Sequence, residues 1–209
     1  MKKCPECNQP IKSKRKKASG SKKGTPFERE ICKEISLWWS WGQRDDLVWR
    51  TATSGGRATS RFETSELDTQ YAFGDLAPTH KDIYPLFDFL LFEVKRGYNK
   101  TLDVMEEVDF PSHLVKIPQI QDWWATAQRD AIRAGRPETI IVGKRDHRKN
   151  YCVISTEFFD LIESQHEESF QDPHITIRNE KIHVVICLFT DWFAYFEPED
   201  LKTITAKPV

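Results

Sequence analysis

The 209-residue sequence contains no hydrophobic run long enough to span a bilayer and no pattern typical of a secretory signal peptide. Its five cysteines are odd in number and unevenly spaced, which is not typical of a disulfide framework and favours a reducing compartment. Its six histidines show no paired spacing typical of a zinc enzyme, and neither a Gly-x-Ser-x-Gly element nor a phosphate-binding loop is present. These absences predict a cytoplasmic protein with no membrane partner, and they argue against the enzyme classes that carry those motifs.

The net charge of −1 hides an uneven distribution of charge along the chain. Residues 1–24 carry a local net charge of +8, and the remaining 185 residues carry −9. The run 12–23 has almost no apolar side chain, so it is typical of a flexible tether that contacts phosphates without reading sequence, with Arg15, Lys16 and Lys17 as candidate DNA contacts. A solvated tail is the alternative. The sequence therefore predicts a basic arm at 1–24 and a single domain at 25–209.

Cys4 and Cys7 form a Cys-x-x-Cys pair, which supplies half of a typical structural zinc site. No second pair follows, and the other three cysteines stand singly among apolar neighbours, as core residues do. A Zn²⁺ site shared between two subunits, or completed by a histidine, stays open as an alternative.

A helix is predicted from Thr25 to Trp41. Thr25 suits the N-cap, Pro26 suits the first helical position, and Glu28 lies where a capping-box carboxylate belongs. An apolar face then recurs at spacings of three and four residues, through Phe27, Ile31, Ile35, Trp38 and Trp39. From these features alone, Glu28 is a cap, and a catalytic role for it requires a partner elsewhere.

Three strands and a loop follow this helix. The alternating segment 47–53 predicts a strand that leads into a glycine-rich loop, 54–57, able to approach a phosphate or to serve simply as a loop. A short strand over 71–76 includes Asp75, and a proline-containing linker covers 77–85. The apolar run from Phe89 then predicts a buried strand with Glu93 and Lys95 on one face. That pair is either catalytic or an ordinary ion pair at a sheet edge.

The second half alternates helices and strands, which predicts an α/β fold with a mixed sheet flanked by helices. The predicted segments are a helix at 120–133 that ends at Gly135, strands at 138–144 and 151–155, a helix at 156–164, a strand at 182–189 and a helical piece after Thr190. A basic turn at 144–149 is a plausible DNA-backbone contact or a solvated hairpin tip.

Several of these features occur in a fixed order: Lys23-Gly24 with Glu28-Arg29-Glu30, then Arg50-Thr51 with Ser54-Gly55-Gly56, then Gly74-Asp75, then Glu93-Val94-Lys95. In that order the chain resembles the PD-(D/E)xK nuclease superfamily. Within it, the chain is similar to archaeal-type Holliday junction resolvases and their relatives in phages and mobile elements. The resemblance covers about residues 23–155. It implies a restriction-endonuclease-like core, Mg²⁺ or Mn²⁺ as cofactor, and DNA as substrate.

The resemblance also implies a role for each matching residue. Asp75 and Glu93 would hold the metal, and Glu28 would complete the carboxylate cluster directly or through water. Lys95 would orient the attacking water and stabilise developing charge, and Ser54 would contact a metal-bound water or the phosphate. Two or three carboxylates suffice for Mg²⁺, because this ion takes oxygen ligands and keeps several waters.

Some assignments stay open at this stage. Asp82 and Asp88 are alternatives to Asp75, since 18 positions separate Asp75 from Glu93. Three further residues are candidate DNA contacts: Arg57, Gln128 and Lys144. Gln128 is equally typical of an exposed helix position, and Lys144 is equally typical of a strand end.

The resemblance predicts an endonuclease that resolves branched DNA in recombination or repair. It also predicts a homodimer, because a four-way junction needs two symmetric cuts. A restriction, defence or repair nuclease of the same fold is one alternative. A catalytically silent nucleic-acid-binding module is another.

Overall fold

A computed structural model describes residues 20–51, 71–97 and 119–206 of the chain, with side chains from residue 25 to residue 205. The described residues form six helices: α1 (Gly20–Trp39), α2 (Tyr84–Phe89), α3 (Gln119–Arg133), α4 (Thr156–Glu163), α5 (Phe189–Tyr195) and α6 (Pro198–Ala206). They also form seven strands: β1 (Val48–Arg50), β2 (Leu76–Pro78), β3 (Leu90–Arg96), β4 (Glu138–Lys144), β5 (Asn150–Ser155), β6 (His174–Arg178) and β7 (His183–Leu188). A 3₁₀ turn at Lys81–Ile83 precedes α2.

The main sheet has five strands in the order β3-β4-β5-β7-β6. Strands β3 and β4 are parallel, and the other neighbours are antiparallel. A separate antiparallel pair joins β1 to β2. The mixed sheet flanked by helices confirms the predicted α/β class.

The two faces of the sheet are covered by different helices. The larger core packs helices α1, α2, α4, α5 and α6 on one face, which includes Leu90, Phe92 and Val94 of β3. On the other face, α3 packs Ile120, Trp123 and Trp124 against the strands. Because successive strand residues point to opposite faces, Glu93 and Lys95 project from the face opposite α1.

The predicted start of the first helix is wrong. Helix α1 begins at Gly20 instead of Thr25, and it ends at Trp39, so Pro26 lies inside it. The apolar periodicity identified only the part of the helix that packs in the core, and it gives no information about a polar extension before Phe27. The extension takes α1 across the predicted boundary between the basic arm and the domain.

The segment between residues 71 and 89 differs most from the prediction. Residues 71–75 form turns and a bend, and the strand lies later, at Leu76–Pro78. Instead of a linker, 81–89 contain the 3₁₀ turn and α2, in which Pro85 lies within the first turn, where a missing N–H has no cost. The two prolines were therefore misread as markers of a loop.

The second half follows the predicted order closely. The bounds of α3, β4, β5, α4 and β7 agree with the prediction to within one residue at each end. Strand β6 at the edge of the sheet was not predicted, and the C-terminal helical piece is two helices. Within the described residues, no helix has both the length and the apolar character that a bilayer crossing requires.

Candidate active site

Gly74 brings Asp75 onto the free edge of β3. Gly74 has a φ of +77°, and a Cβ atom there would lie 2.6 Å from the carbonyl oxygen of Phe92. Only glycine allows both this left-handed backbone and this close approach. The next residue then bonds along β3: the Asp75 N–H donates to Phe92 O at 2.9 Å, and its Oδ2 accepts from the Val94 N–H at 2.8 Å. Asp75 is thus fixed to the backbone on both sides of Glu93.

Glu93 and Lys95 lie near the carboxyl end of β3, directly after its buried apolar residues. The Lys95 ammonium donates to Oε1 of Glu93, and the two side chains are only 20% and 15% exposed. A pair this far from solvent is less screened than an ordinary surface ion pair. The sequence motif therefore forms one compact anion–cation unit beside Asp75.

The pKa of Asp75 reflects its burial and the charges around it. Burial, followed by the charge of Glu93, raises this pKa from 3.8 to about 7. The Val94 N–H bond and the charge of Lys95 lower it, and Glu28 makes the smallest contribution, which raises it. The ionised form of Asp75 is therefore disfavoured mainly by burial and further by Glu93, and a bound cation would favour it.

Glu28 comes to this site from α1. Its Oε2 accepts a hydrogen bond from Arg50 Nε at 3.0 Å, and both side chains are partly buried. Because α1 packs on one face of β3 and Glu93 projects from the other, Glu28 acts on Asp75 at longer range than Glu93 does. Glu28 is therefore a neutralised neighbour of the acidic pair within the described structure.

The donor set fits a hard divalent cation, although it is not a complete protein cage. Among residues 20–51, 71–97 and 119–206, no group of three His, Cys, Asp or Glu side chains converges closely enough to hold a metal ion. Mg²⁺ is commonly held by one or two carboxylates together with waters and substrate phosphates. Asp75 and Glu93 supply such a pair, and burial together with the charge of Glu93 raises the pKa of Asp75, so a bound cation would stabilise the ionised pair.

Comparison with known protein families gives a match over most of the chain. Residues 19–203 match the model of a family described as "Phage putative PDDEXK endonuclease". The chain belongs to this family. Searches of curated proteins and of solved structures gave no match.

Membership of the PDDEXK endonuclease family confirms the superfamily resemblance, including its phage relatives. The match begins at residue 19, next to the start of α1, and ends within α6. The strand β3, its acidic neighbour Asp75 and the second half of the sheet all lie inside the matched region.

The two alternatives to Asp75 lie elsewhere and have other contacts. Asp82 is in the 3₁₀ turn, where its carboxylate pairs with His80. Asp88 is in α2, where its Oδ1 accepts from the Tyr71 hydroxyl at 2.7 Å and pairs with Arg136. The structure thus brings Asp75, and neither of the others, to the Glu93–Lys95 pair.

Two predicted DNA contacts can be located. Lys144 ends β4, where its Nζ bonds to Glu30 Oε1 at 2.6 Å and lies over the Phe27 ring. Gln128 is exposed on α3 and lines a pocket of about 290 Å³ with Trp124 and His183, among others. The pocket includes neither Asp75 nor Glu93. The other candidates lie outside the described residues. They are the possible zinc ligands Cys4 and Cys7, the possible DNA contacts Arg15, Lys16, Lys17 and Arg57, and the predicted catalytic Ser54.

Sequence reasoning missed Arg50 as a component of the site. It occurs in the motif that suggested the superfamily, yet its bond to Glu28 depends on how β1 packs against α1. Alternation along 47–53 was the available signal, because it places Arg50 on the same face as the buried Val48. A charged residue on a buried face requires a partner.

Proposed function

We propose that the chain is a divalent-metal-dependent endonuclease that hydrolyses phosphodiester bonds in DNA. The observation that carries the proposal is that Asp75 bonds to the β3 backbone at Phe92 and Val94, the residues on either side of Glu93. Lys95 bonds to Glu93 in the same place. Asp75 and Glu93 would hold Mg²⁺ or Mn²⁺. When bound, the cation would neutralise charge on the attacked phosphate and make water a better nucleophile.

The remaining residues act through charge and position. Lys95 holds Glu93 in place and offers an ammonium for the charge that develops on the phosphate as water attacks and the P–O bond breaks. Glu28, paired with Arg50, would complete the carboxylate cluster directly or through water, and Arg50 fixes its orientation. Ser54 is assigned contact with the phosphate or its water on the basis of the sequence motif.

The substrate we propose is branched DNA such as a Holliday junction, cut by a homodimer. Support comes from the likeness of the ordered motifs to junction resolvases and from the two-fold symmetry that paired cuts require. The basic residues at 15–17 together with Arg57, Gln128 and Lys144 would contact the DNA. The Lys144 ammonium has three N–H donors and gives one to Glu30, so a phosphate could be contacted by the remaining two.

A cleavage assay on a panel of DNAs tests this function. The purified chain is incubated with a four-way junction, a flap, single-stranded DNA and linear duplex, in Mg²⁺, Mn²⁺, Ca²⁺ or EDTA. We expect cleavage in Mg²⁺ or Mn²⁺ that EDTA abolishes, with the junction cut fastest. Faster cleavage of linear duplex would instead support a restriction or defence nuclease.

Variants of the site distinguish an enzyme from a binding module. We expect Glu93→Gln and Lys95→Ala each to lower the cleavage rate at least about 100-fold, the scale of losing a catalytic group, while binding in Ca²⁺ is retained. Glu167→Gln and Lys202→Ala, which change exposed side chains away from the site, serve as matched controls. Cleavage that persists in EDTA or in Glu93→Gln would refute the proposal, and binding without cleavage by the unmodified chain would identify a binding module.

A further inference from the structure

We infer that the hydroxyl of Tyr151 contacts the phosphate of the substrate beside Lys95, an inference that rests on the function proposed above. Tyr151 belongs to β5, two strands from the acidic pair, and nothing in its sequence context suggests a role. Its position follows from the register of the sheet and from the absence of a side chain at Gly143.

Lys95, Gly143 and Tyr151 form one row across three neighbouring strands. Gly143 is the partner of Lys95 in the parallel β3–β4 ladder and of Tyr151 in the antiparallel β4–β5 ladder. Side chains at paired positions leave the sheet on the same face. The Tyr151 ring therefore lies on the same face as Lys95, with only a glycine between them.

The ring occupies the space that a side chain at position 143 would fill. A Cβ atom built on Gly143 would lie 2.1 Å from Cζ and 2.3 Å from the hydroxyl oxygen of Tyr151. The end of the tyrosine therefore lies over β4 and not over its own strand. Since adjacent strands are about 4.8 Å apart, the hydroxyl reaches the strand next to the one that carries Glu93 and Lys95.

This hydroxyl makes no hydrogen bond to the described part of the chain, although Tyr151 is partly buried. The other partly buried tyrosines differ, because Tyr71 donates to Asp88 and Tyr195 donates to Glu168 O. Burial also raises the pKa of Tyr151 well above its ordinary value, so the group keeps its proton and remains a donor. A neutral donor on the same face of the sheet as the Lys95 ammonium suits a non-bridging oxygen of a phosphodiester, on which negative charge grows during hydrolysis.

A plain packing role is the competing explanation, and Tyr151→Phe separates the two, because it removes the hydroxyl while keeping the ring over Gly143. We expect kcat on the preferred DNA to fall about 100-fold, the loss typical of removing one donor to developing charge, while KM changes less than about twofold and the midpoint of thermal unfolding stays within about 1 °C. Tyr84→Phe is the matched control, since Tyr84 is exposed and distant along the chain from β5. We expect it to retain the full rate.

The assay also includes Glu93→Gln, so that the inference and the proposed function can fail separately. Full kcat in Tyr151→Phe, together with an inactive Glu93→Gln, would overturn the role of the hydroxyl and leave the nuclease intact. A loss of rate matched by a loss of stability would also overturn it in favour of packing. An unmodified chain that cleaves no DNA would overturn both.

Discussion

The carboxyl group of Asp75 has a pKa of about 7, compared with an ordinary value of 3.8, because burial and the charge of Glu93 disfavour its ionised form. When a carboxyl pKa is higher in the folded than in the unfolded chain, ionisation costs folding free energy. This cost is absent below about pH 4, increases between about pH 4 and 7, and is fully present above pH 7. The position of the site therefore carries a stability cost at neutral pH.

We expect Asp75→Asn to stabilise the metal-free chain while abolishing cleavage. The amide oxygen can still accept the Val94 N–H bond, and the buried charge is gone, so the free energy of unfolding in EDTA at pH 8 should increase by about 2 kcal/mol. Urea unfolding at pH 8, 6 and 4.5 measures the effect, which should shrink as the pH falls. Asp172→Asn, at an exposed position, is the control. A destabilised Asp75→Asn chain at pH 8 would contradict this account.

At the residue scale, sequence could predict part of the site and not the rest. Alternation along β3 places Glu93 and Lys95 on one face, and the structure agrees because both belong to one short element. The contact of Asp75 with that element depends on the left-handed backbone of Gly74 and on a hydrogen bond to Val94, which lies 19 positions further along the chain. No local sequence pattern encodes either feature. The partners of Glu28 and Lys144 likewise depend on the packing of α1 against the sheet.

Among the elements, the contact between α1 and β1 fixes Arg50 opposite Glu28. Ser36 makes this contact: its hydroxyl, which is fully buried, donates to Cys32 O at 2.7 Å within α1 and accepts from the Val48 N–H at 3.0 Å. Val48 lies two residues before Arg50 on the same face of β1. The Ser36 hydroxyl thus links α1 to β1, and Arg50 of β1 orients Glu28 of α1.

Ser36→Ala should therefore destabilise the chain by about 1–3 kcal/mol, because it leaves the buried Val48 N–H without an acceptor. Chemical denaturation measures this loss. As a control, Ser164→Ala removes an exposed hydroxyl that donates to Leu161 O and accepts from Gln165 Nε2, and its effect should stay below about 0.5 kcal/mol because water can replace both bonds. Equal effects of the two changes would show that the Ser36 bond contributes little.

Element bounds were predicted well where the local signals agree. Helix α3 has a clear apolar face and ends before Gly135, whose φ of +67° suits a helix terminator. Helix α2 was missed because it is six residues long and contains a proline, so its sequence has the features of a turn. The edge strand β6 is short and mostly exposed, and it depends on pairing with β7.

Over the whole molecule, the basic segment before α1 and the acidic remainder suggest a division between DNA attraction and cleavage. We expect replacement of Arg15, Lys16 and Lys17 by alanine to weaken DNA binding in Ca²⁺ without regard to sequence. The slope of log affinity against log salt concentration should fall by about 0.9 for each phosphate contact removed. The rate at saturating DNA should be unchanged, because the acidic pair is intact.

Binding measured between about 50 and 200 mM salt tests this expectation. Lys202→Ala is a suitable reference, because Lys202 is exposed and already paired with Glu199. An unchanged salt slope in the triple variant would show that the basic segment acts only as a solvated tail.

The residues on either side of the stretch 52–70 are fastened to the same scaffold. Thr51 bonds to the carbonyl oxygens of Gly74 and Asp75, and the Tyr71 ring lies 4.8 Å beneath the guanidinium of Arg136. Closing a longer loop between fixed ends costs only about 0.6 kcal/mol for each doubling of length. Insertions after Arg57 in this stretch should therefore cost little stability and leave the arrangement of Asp75, Glu93 and Lys95 in place, so the length of chain here can vary independently of that arrangement.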